Sequence, residues 1–423
     1  MPPLRFPEFR NTEGWAEIEL KAIANLINAR AGENIHTLMS VTSGVGLVSQ
    51  KEKFGREIAG DSYKNYIVIK KWDFAYNKSS TKLYPEGYIA MLKDIETAAV
   101  PNSIFTCFSI DKDKVFPQFL DHWFHNNFHG KWLRKFIEVG ARAHGSLSIE
   151  NDLLLGMPFF LSSIKEQQKI AACLTSLDAL ITAQSEKVAH LKVHKKGLMQ
   201  QLFPADGETV PQLRFAEFRD TEGWEEKPIG EKVDLLSGIP FTSSEISEDS
   251  NGIPILRGIN ITEGFIRHSK DIDRFFLGNS QNLSKYRLKI DDLVIGMDGS
   301  KVGKNSALIT NEDSGALLIQ RVARLRTKHK ATIQFIFQQI NSTKFHSYVD
   351  KVNTSGGIPH ISASQINSFK IYFPSVEEQQ KISACLTSID DLISAESDKL
   401  GVLKGHKKGL MQQLFPNTEE VGG

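Results

Sequence analysis

The run Gly299-Ser300-Lys301-Val302-Gly303-Lys304-Asn305 carries the glycines and lysines of a loop that could wrap a phosphate. A Walker-type loop needs one more residue between its glycines and a Ser or Thr after its lysine; here the spacing is one short and Asn305 stands at the hydroxyl position. Nucleotide binding is therefore rejected. His122, His125 and His129 cluster around Trp123, Phe124 and Phe128, where imidazoles could hold a metal. No cysteine or carboxylate is read as completing such a set, so aromatic-rich helix packing is expected and no metal is assigned. The chain has no Asn/Asp-Pro-Pro-aromatic run, no Gly-x-Ser-x-Gly and no His-Glu-x-x-His. No residue is assigned as catalytic.

A chain of 423 residues implies two or three domains. Lys and Arg number 51 against 50 Asp and Glu, which argues against non-specific coating of nucleic acid but leaves room for local basic loops. No apolar run is long enough for a membrane span, and the start Met1-Pro2-Pro3-Leu4 lacks a signal-peptide core. The three cysteines read as small apolar residues in a reducing cytoplasm, Cys173 and Cys385 falling at equivalent repeat positions.

The repeat is the strongest signal. Lys165–Pro204 and Glu377–Pro416 align without a gap at an offset of 212, with 29 of 40 positions identical. Pro2–Trp15 and Pro211–Trp224 match at 11 of 14 positions, at an offset of 209. Between these blocks lie segments of similar length, about 16–164 and 225–376, with no comparable identity. A framework held alike around diverged cargo suggests two domains doing one kind of job on two targets. The expected organisation is a first domain over 1–164, a central helix over 165–204, a second domain over 205–376, a distal helix over 377–416 and a tail.

Each long block has the 4-3 spacing of a heptad seam, and Pro204 and Pro416 end the runs. About 38 helical residues would span about 57 Å. Ser375-Val376-Glu377-Glu378 reads as a capping box. An antiparallel pairing can set Val188 opposite Leu403, Leu191 opposite Leu400, Ile181 opposite Leu410, Leu177 opposite Leu414 and Lys195 opposite Glu396, with Gln184 facing Lys407. A parallel pairing would stack Lys195 on Lys407. The expected fold class is thus α+β: two domains joined by two long antiparallel coiled-coil helices with an approximate two-fold. In the second domain, strands are expected at Ile253–Leu256, Asp292–Met297, Ala307–Thr310 and Leu317–Leu325, and a helix at Ala331–Asn341. In the first, strands are expected near Tyr66–Lys70 and Ile104–Ile110, and a helix from Val115 to Phe136.

These residues carry a resemblance. Glu378-Gln379-Gln380-Lys381-Ile382 after Ile371-Tyr372-Phe373-Pro374, and Glu166-Gln167-Gln168-Lys169-Ile170, resemble the helical boundary of type I restriction–modification specificity subunits. The Leu-Arg-Phe-(Pro/Ala)-Glu-Phe-Arg blocks with Glu-Gly-Trp at 4–15 and 213–224 are similar to the openings of their halves. Asp291-Asp292-Leu293-Val294-Ile295, the 299–304 loop and Gly357-Ile358-Pro359-His360-Ile361 resemble a target-recognition domain. Lys71-Trp72-Asp73-Phe74-Ala75-Tyr76 matches loosely, and Asn77-Lys78-Ser79-Ser80 stands where the glycine loop would be.

The resemblance implies a non-catalytic DNA specificity subunit that reads a split double-stranded target, one half-site per domain. Its helices would act as a ruler and dock two methyltransferase subunits, which would bind S-adenosylmethionine and methylate adenine; motor-nuclease (restriction) subunits could join. Half-sites one turn apart are about 34 Å apart, within reach of such helices. The chain itself would need no cofactor. Candidate DNA contacts are Ser300, Lys301, Lys304, Asn305, Gln320, Arg321 and His360 in the second domain, and Asn77, Lys78, Ser79, Lys82, Arg134, Arg142 and His144 in the first. Arg and Lys suit guanine edges and phosphates, and Asn and Gln suit adenine edges. The rival reading of each is a solvated surface charge. Rival readings of the whole chain are a helix-linked protein-interaction scaffold and a DNA-modifying enzyme in its own right.

Overall fold

Each residue of the repeated Glu-Gln-Gln-Lys-Ile block, save its second glutamine, has a traceable structural task in the computed structural model, which describes residues 1–56, 60–137, 147, 149–327, 329–353 and 359–416. The block opens a 39-residue helix in both halves, Ile164–Leu202 and Val376–Leu414. Glu166 receives the Arg5 guanidinium through Nε (2.8 Å) and Nη2 (2.7 Å), and Glu378 receives Arg214 in the same fork at 2.8 Å for both bonds. Gln167 donates to the Ser162 carbonyl at 2.7 Å and Gln379 to the Pro374 carbonyl at 2.8 Å, tying the helix start to the strand before it. Lys169 pairs with Glu8 and lies over the Phe6 ring; Lys381 does the same with Glu217 and Phe215. Ile170 and Ile382 are buried in the two main cores. The 4–15 and 213–224 blocks are thus the partners of the helix starts. Ser375 caps as expected, accepting the Glu378 N–H at 3.2 Å, but the Glu378 carboxylate serves Arg214 in place of the reciprocal half of a capping box.

The chain divides into two compact units, Met1–Ser185 with Lys399–Gly423, and Glu186–Asp398. Each unit therefore holds the start of one long helix and the end of the other. In the first, the Leu4 N–H donates to the Gln413 carbonyl at 2.9 Å; in the second, the Leu213 N–H donates to the Gln201 carbonyl at 2.9 Å. Phe415 enters the first core beside Trp15, and Phe203 enters the second beside Trp224.

The diverged segments share their sheet order. In the first unit a four-stranded antiparallel sheet runs Ala24–Leu26, Phe105–Ile110, Phe74–Asn77, Tyr88–Met91. In the second the equivalent order is Asp234–Ser237, Val322–Arg326, Leu293–Gly296, Ser306–Leu308, extended by Glu263–Gly264. A separate two-stranded ribbon leads into each helix, pairing Ala16 with Leu161 and Glu225 with Phe373. The strand that opens each central β-hairpin begins alike. Trp72 and Asp291 hold positive φ (77° and 66°), and the next residues, Asp73 and Asp292, each accept the backbone N–H three residues back at 2.7 Å. The loose sequence match at Lys71–Tyr76 is therefore a close structural one.

Two expected elements break. Leu317–Leu325 splits into Leu317–Leu318 and Val322–Arg326, because Arg321 turns the chain with φ of 73°. The helix expected over Val115–Phe136 becomes Pro117–His125 and Phe128–Leu133, separated by Asn127 at φ 56°. The three histidines there go to separate surroundings. His122 Nε2 meets Thr175 Oγ1 at 3.0 Å, His125 Nδ1 meets the Asp121 carbonyl at 2.7 Å, and His129 is fully buried. Burial pushes the His122 and His129 imidazoles down to about 4.

The seam residues lie on the half-buried or buried side of both helices, but their register differs from expectation. In the second unit Lys195 binds both oxygens of Asp390 at 2.7 Å, and Lys187 binds Glu396 at 2.5 Å. The helices run oppositely there, since one number rises as the other falls. In the first unit Lys407 binds Asp178 at 2.5 Å, so Asp390 stands opposite Lys195 where Glu396 is expected, and Asp178 opposite Lys407 where Gln184 is expected. The slip is close to one heptad, which keeps the same faces together and is invisible to periodicity. The helix ends decide it: Ile170 and Leu174 share a core with Met411, Leu414 and Phe415, and Ile382 and Leu386 share one with Met199, Leu202 and Phe203. Lys195→Asp is expected to cost about 2 kcal/mol, the scale of charge-assisted hydrogen bonds. Thermal unfolding should recover with Asp390→Lys added and not with Glu396→Lys; recovery by the latter would restore the rejected register.

Candidate nucleic-acid interface

Three stretches far apart in sequence meet at one end of the second unit's sheet. Strand Leu293–Gly296 runs into the loop Met297–Gly303, and the turn at Gln320–Arg321 starts the neighbouring strand. Residues Pro359–Ile361 form the third side. Met297 donates its N–H to the Arg321 carbonyl and accepts the Ile361 N–H, both at 2.9 Å; Gly299 N–H donates to the Pro359 carbonyl at 3.1 Å. Glycine is required in this loop at Gly303, where φ is 67° and a Cβ would come within 2.8 Å of Val349 Cγ2.

The side chains follow from that frame. Ser300, Lys301, Gln320, Arg321 and His360 are exposed, while Lys304 and Asn305 are half-buried. Lys301 pairs with Glu263 at 2.7 Å and Lys304 with Asp350 at 3.1 Å. The Asp298 carboxylate accepts from the Arg321 guanidinium on one oxygen and from His360 Nδ1 on the other. These two donors hold the Asp298 carboxyl below the usual carboxylate range, against the upward push of its partial burial, which is the largest single influence. The structure therefore brings the seven residues of this domain to one end of the sheet.

The first unit is different. Asn77 is buried: its amide reaches the Val41 carbonyl, and its Oδ1 accepts the Ser79 N–H at 2.9 Å. This corrects its assignment as a DNA contact, because both polar ends are used inside the fold. Lys78 and Ser79 are half-buried, burial lowering the Lys78 pKa, and Lys82 is exposed. Arg134 is anchored by Nε on the buried Glu86 carboxylate at 2.6 Å yet keeps most of its side chain in solvent. Arg142 and His144 lie outside the described residues. In place of the glycine loop stands the 78–87 stretch, closed by Gly87 (φ 84°), where a Cβ would strike the Asn77 carbonyl at 2.4 Å.

Sequence reasoning missed Asp298, the carboxylate that joins two of its own candidates. It also missed the Arg5–Glu166 and Arg214–Glu378 clamps. Opposite charges kept at matching places of two repeated blocks were the available signal.

Residues 221–404 match the family described as Type I restriction modification DNA specificity domain. The chain is 28% identical over 298 residues to the specificity subunit of the type I restriction enzyme MjaVIII of Methanocaldococcus jannaschii, covering 69% of each chain. It is 27% identical over 226 residues to the specificity subunit of the Escherichia coli type I restriction enzyme EcoAI, covering 53% of this chain and 36% of that one. Among solved structures, it resembles the type I restriction–modification S subunit of M. genitalium with a TM-score of 0.61 at 15% identity, across 99% of both chains. A chain from a type I restriction–modification assembly gives a TM-score of 0.54 at 14% identity, across 97% of this chain and 99% of that one. Both likenesses are of fold.

Proposed function

We propose that this chain, which belongs to the DNA-specificity subunits of type I restriction–modification systems, reads a split double-stranded target with one half-site per domain. The observation that carries this reading is the common sheet order of two segments whose sequences have diverged. One frame presents different loop chemistry twice: Arg321, His360, Lys301 and Gln320 in one unit, Lys82 and Arg134 in the other. Arg and Lys there suit guanine edges and phosphates. The long helices form an antiparallel coiled coil. Supporting this, Lys195–Asp390 and Lys407–Asp178 are the same pair exchanged by the 212-residue repeat.

As a specificity subunit the chain does no chemistry of its own. Two methyltransferase subunits dock on the helices and flip out an adenine for methylation from S-adenosylmethionine, which they bind. Motor-nuclease subunits join to cut unmodified DNA. No helix among the described residues is long and apolar enough to cross a membrane.

The test is base-resolution adenine methylation in a methylation-free host that expresses the chain with a type I methyltransferase subunit, and each alone. A split motif should appear with both only. Exchanging residues 225–376 for the same segment of a relative should change one half of the motif and leave the other. Methylation by the chain alone, or a change in both halves, would overturn the reading.

A further inference from the structure

Arg321 sits at φ 73°, a backbone conformation that glycine adopts freely and side-chain-bearing residues rarely do. The turn uses that conformation, since the Arg321 carbonyl accepts the Met297 N–H and so joins two strands at their ends. Glycine would meet the backbone need without strain, yet a long cationic side chain stands there with 62% of its surface in solvent. Strain kept together with an exposed charge points to a use for the side chain rather than for the fold.

That side chain is not loose. Its Nη1 donates to Asp298 Oδ2, while Asp298 Oδ1 accepts from His360 Nδ1. Asp298 is only 13% exposed, so the carboxylate lies beneath its two donors and both point outward. Its own position is fixed from both sides: Met297 accepts the Ile361 N–H, Gly299 donates to Pro359, and Asp298 bridges His360 through the backbone. A guanidinium has five N–H donors in one plane, and the bond to Asp298 uses one. The rest still offer a two-donor edge, the complement of the O6 and N7 acceptors of guanine in the major groove.

We infer that Asp298 is a specificity-positioning residue: it holds Arg321 in the one orientation that reads a guanine in the half-site of the second domain. This rests on the reading of that domain as a DNA reader. A flexible arginine would bind phosphates or any acceptor pair; a clamped one discriminates. Asp298 touches no base itself and acts through Arg321.

The experiment is the base-resolution methylation profile of the reconstituted complex, with thermal unfolding of each variant. Asp298→Asn and Asp298→Ala should relax one guanine position of one half-site, lowering discrimination there about tenfold or more. All other positions should be unchanged. Arg321→Ala should relax the same position, and Asp298→Ala added to it should do nothing further. Arg321→Gly supplies the separating test, because glycine relieves the backbone strain. It should lose the guanine while melting no lower than the parent. Either Asp298 variant weakening every position evenly together with a lower melting temperature would make Asp298 structural and overturn the inference. A parent motif with no guanine in that half-site, or an unchanged motif in Arg321→Gly, would also overturn it while DNA reading stands. A parent complex that methylates no split motif would sink the DNA-reading proposal itself.

Discussion

Replacing Arg5 with alanine is expected to cost about 3–5 kcal/mol of unfolding free energy, the scale for stripping one partner from a buried ion pair. The Arg5 and Glu166 side chains are 6% and 1% exposed. The guanidinium makes two bonds to the carboxylate, a third, at 3.0 Å, to the Glu13 carbonyl and a fourth, at 3.2 Å, to Thr12 Oγ1. Without it, Glu166 keeps, among the described residues, only the long side-chain contact from Trp15 Nε1 at 3.3 Å. The loss arises from a charge left without compensation rather than from the intact pair's own strength. Exchanging both partners for apolar residues of similar length, Arg5→Met with Glu166→Leu, should therefore recover most of it. Denaturant unfolding of the single and double variants decides the point. A single variant costing less than about 1 kcal/mol would mean that water reaches Glu166.

Phe415→Ala is expected to cost a similar amount, about 3–5 kcal/mol, by opening a cavity that the first core cannot close. Phe415 is fully buried, with ring centroids 5.2 Å from Phe119, 5.6 Å from Phe128 and 6.4 Å from Trp15. Those rings come from the opening block and from two separate helices, so removing their common neighbour leaves each under-packed. Val402, on the long helix that Phe415 follows but 71% exposed, is the control: Val402→Ala should change stability by less than about 0.5 kcal/mol. Equal effects at the two positions, measured by calorimetry, would contradict the assigned burial.

The long helices were legible because heptad spacing and terminal prolines are local signals, and because two copies of one sequence repeat them. The helix register was not. Slipping the helices by a heptad changes no face, and the choice is made by Phe203, Phe415 and their neighbours inside the two cores, which no spacing reveals. The strands at Ile253–Leu256 and Leu293–Gly296 stood out as short apolar runs between turn residues. The breaks at Arg321 and Asn127 did not, since each depends on a non-glycine residue held at positive φ by contacts distant in sequence. Of the binding candidates, Arg321 and His360 could be picked by type, but the carboxylate that pairs them could not, because Asp298 and His360 are brought together only by the backbone bridge between them. Asn77 has by type an amide that suits an adenine edge, whereas its depth in the fold turns it to Val41 and Ser79.

The two clamps have a consequence for inheritance. Arg5 with Glu166 and Arg214 with Glu378 are the same joint, as are Leu4 with Gln413 and Leu213 with Gln201. Both clamps, and the backbone joints beside them, are carried by stretches that occur twice in nearly the same form, and the diverged segments lie between them. Genetic recombination between like coding stretches would therefore deliver an unlike domain into a socket that already fits it. Such an exchange changes the address the protein reads in one step, without a new joint having to evolve, and the two halves can drift toward different targets while their mounting stays under common constraint.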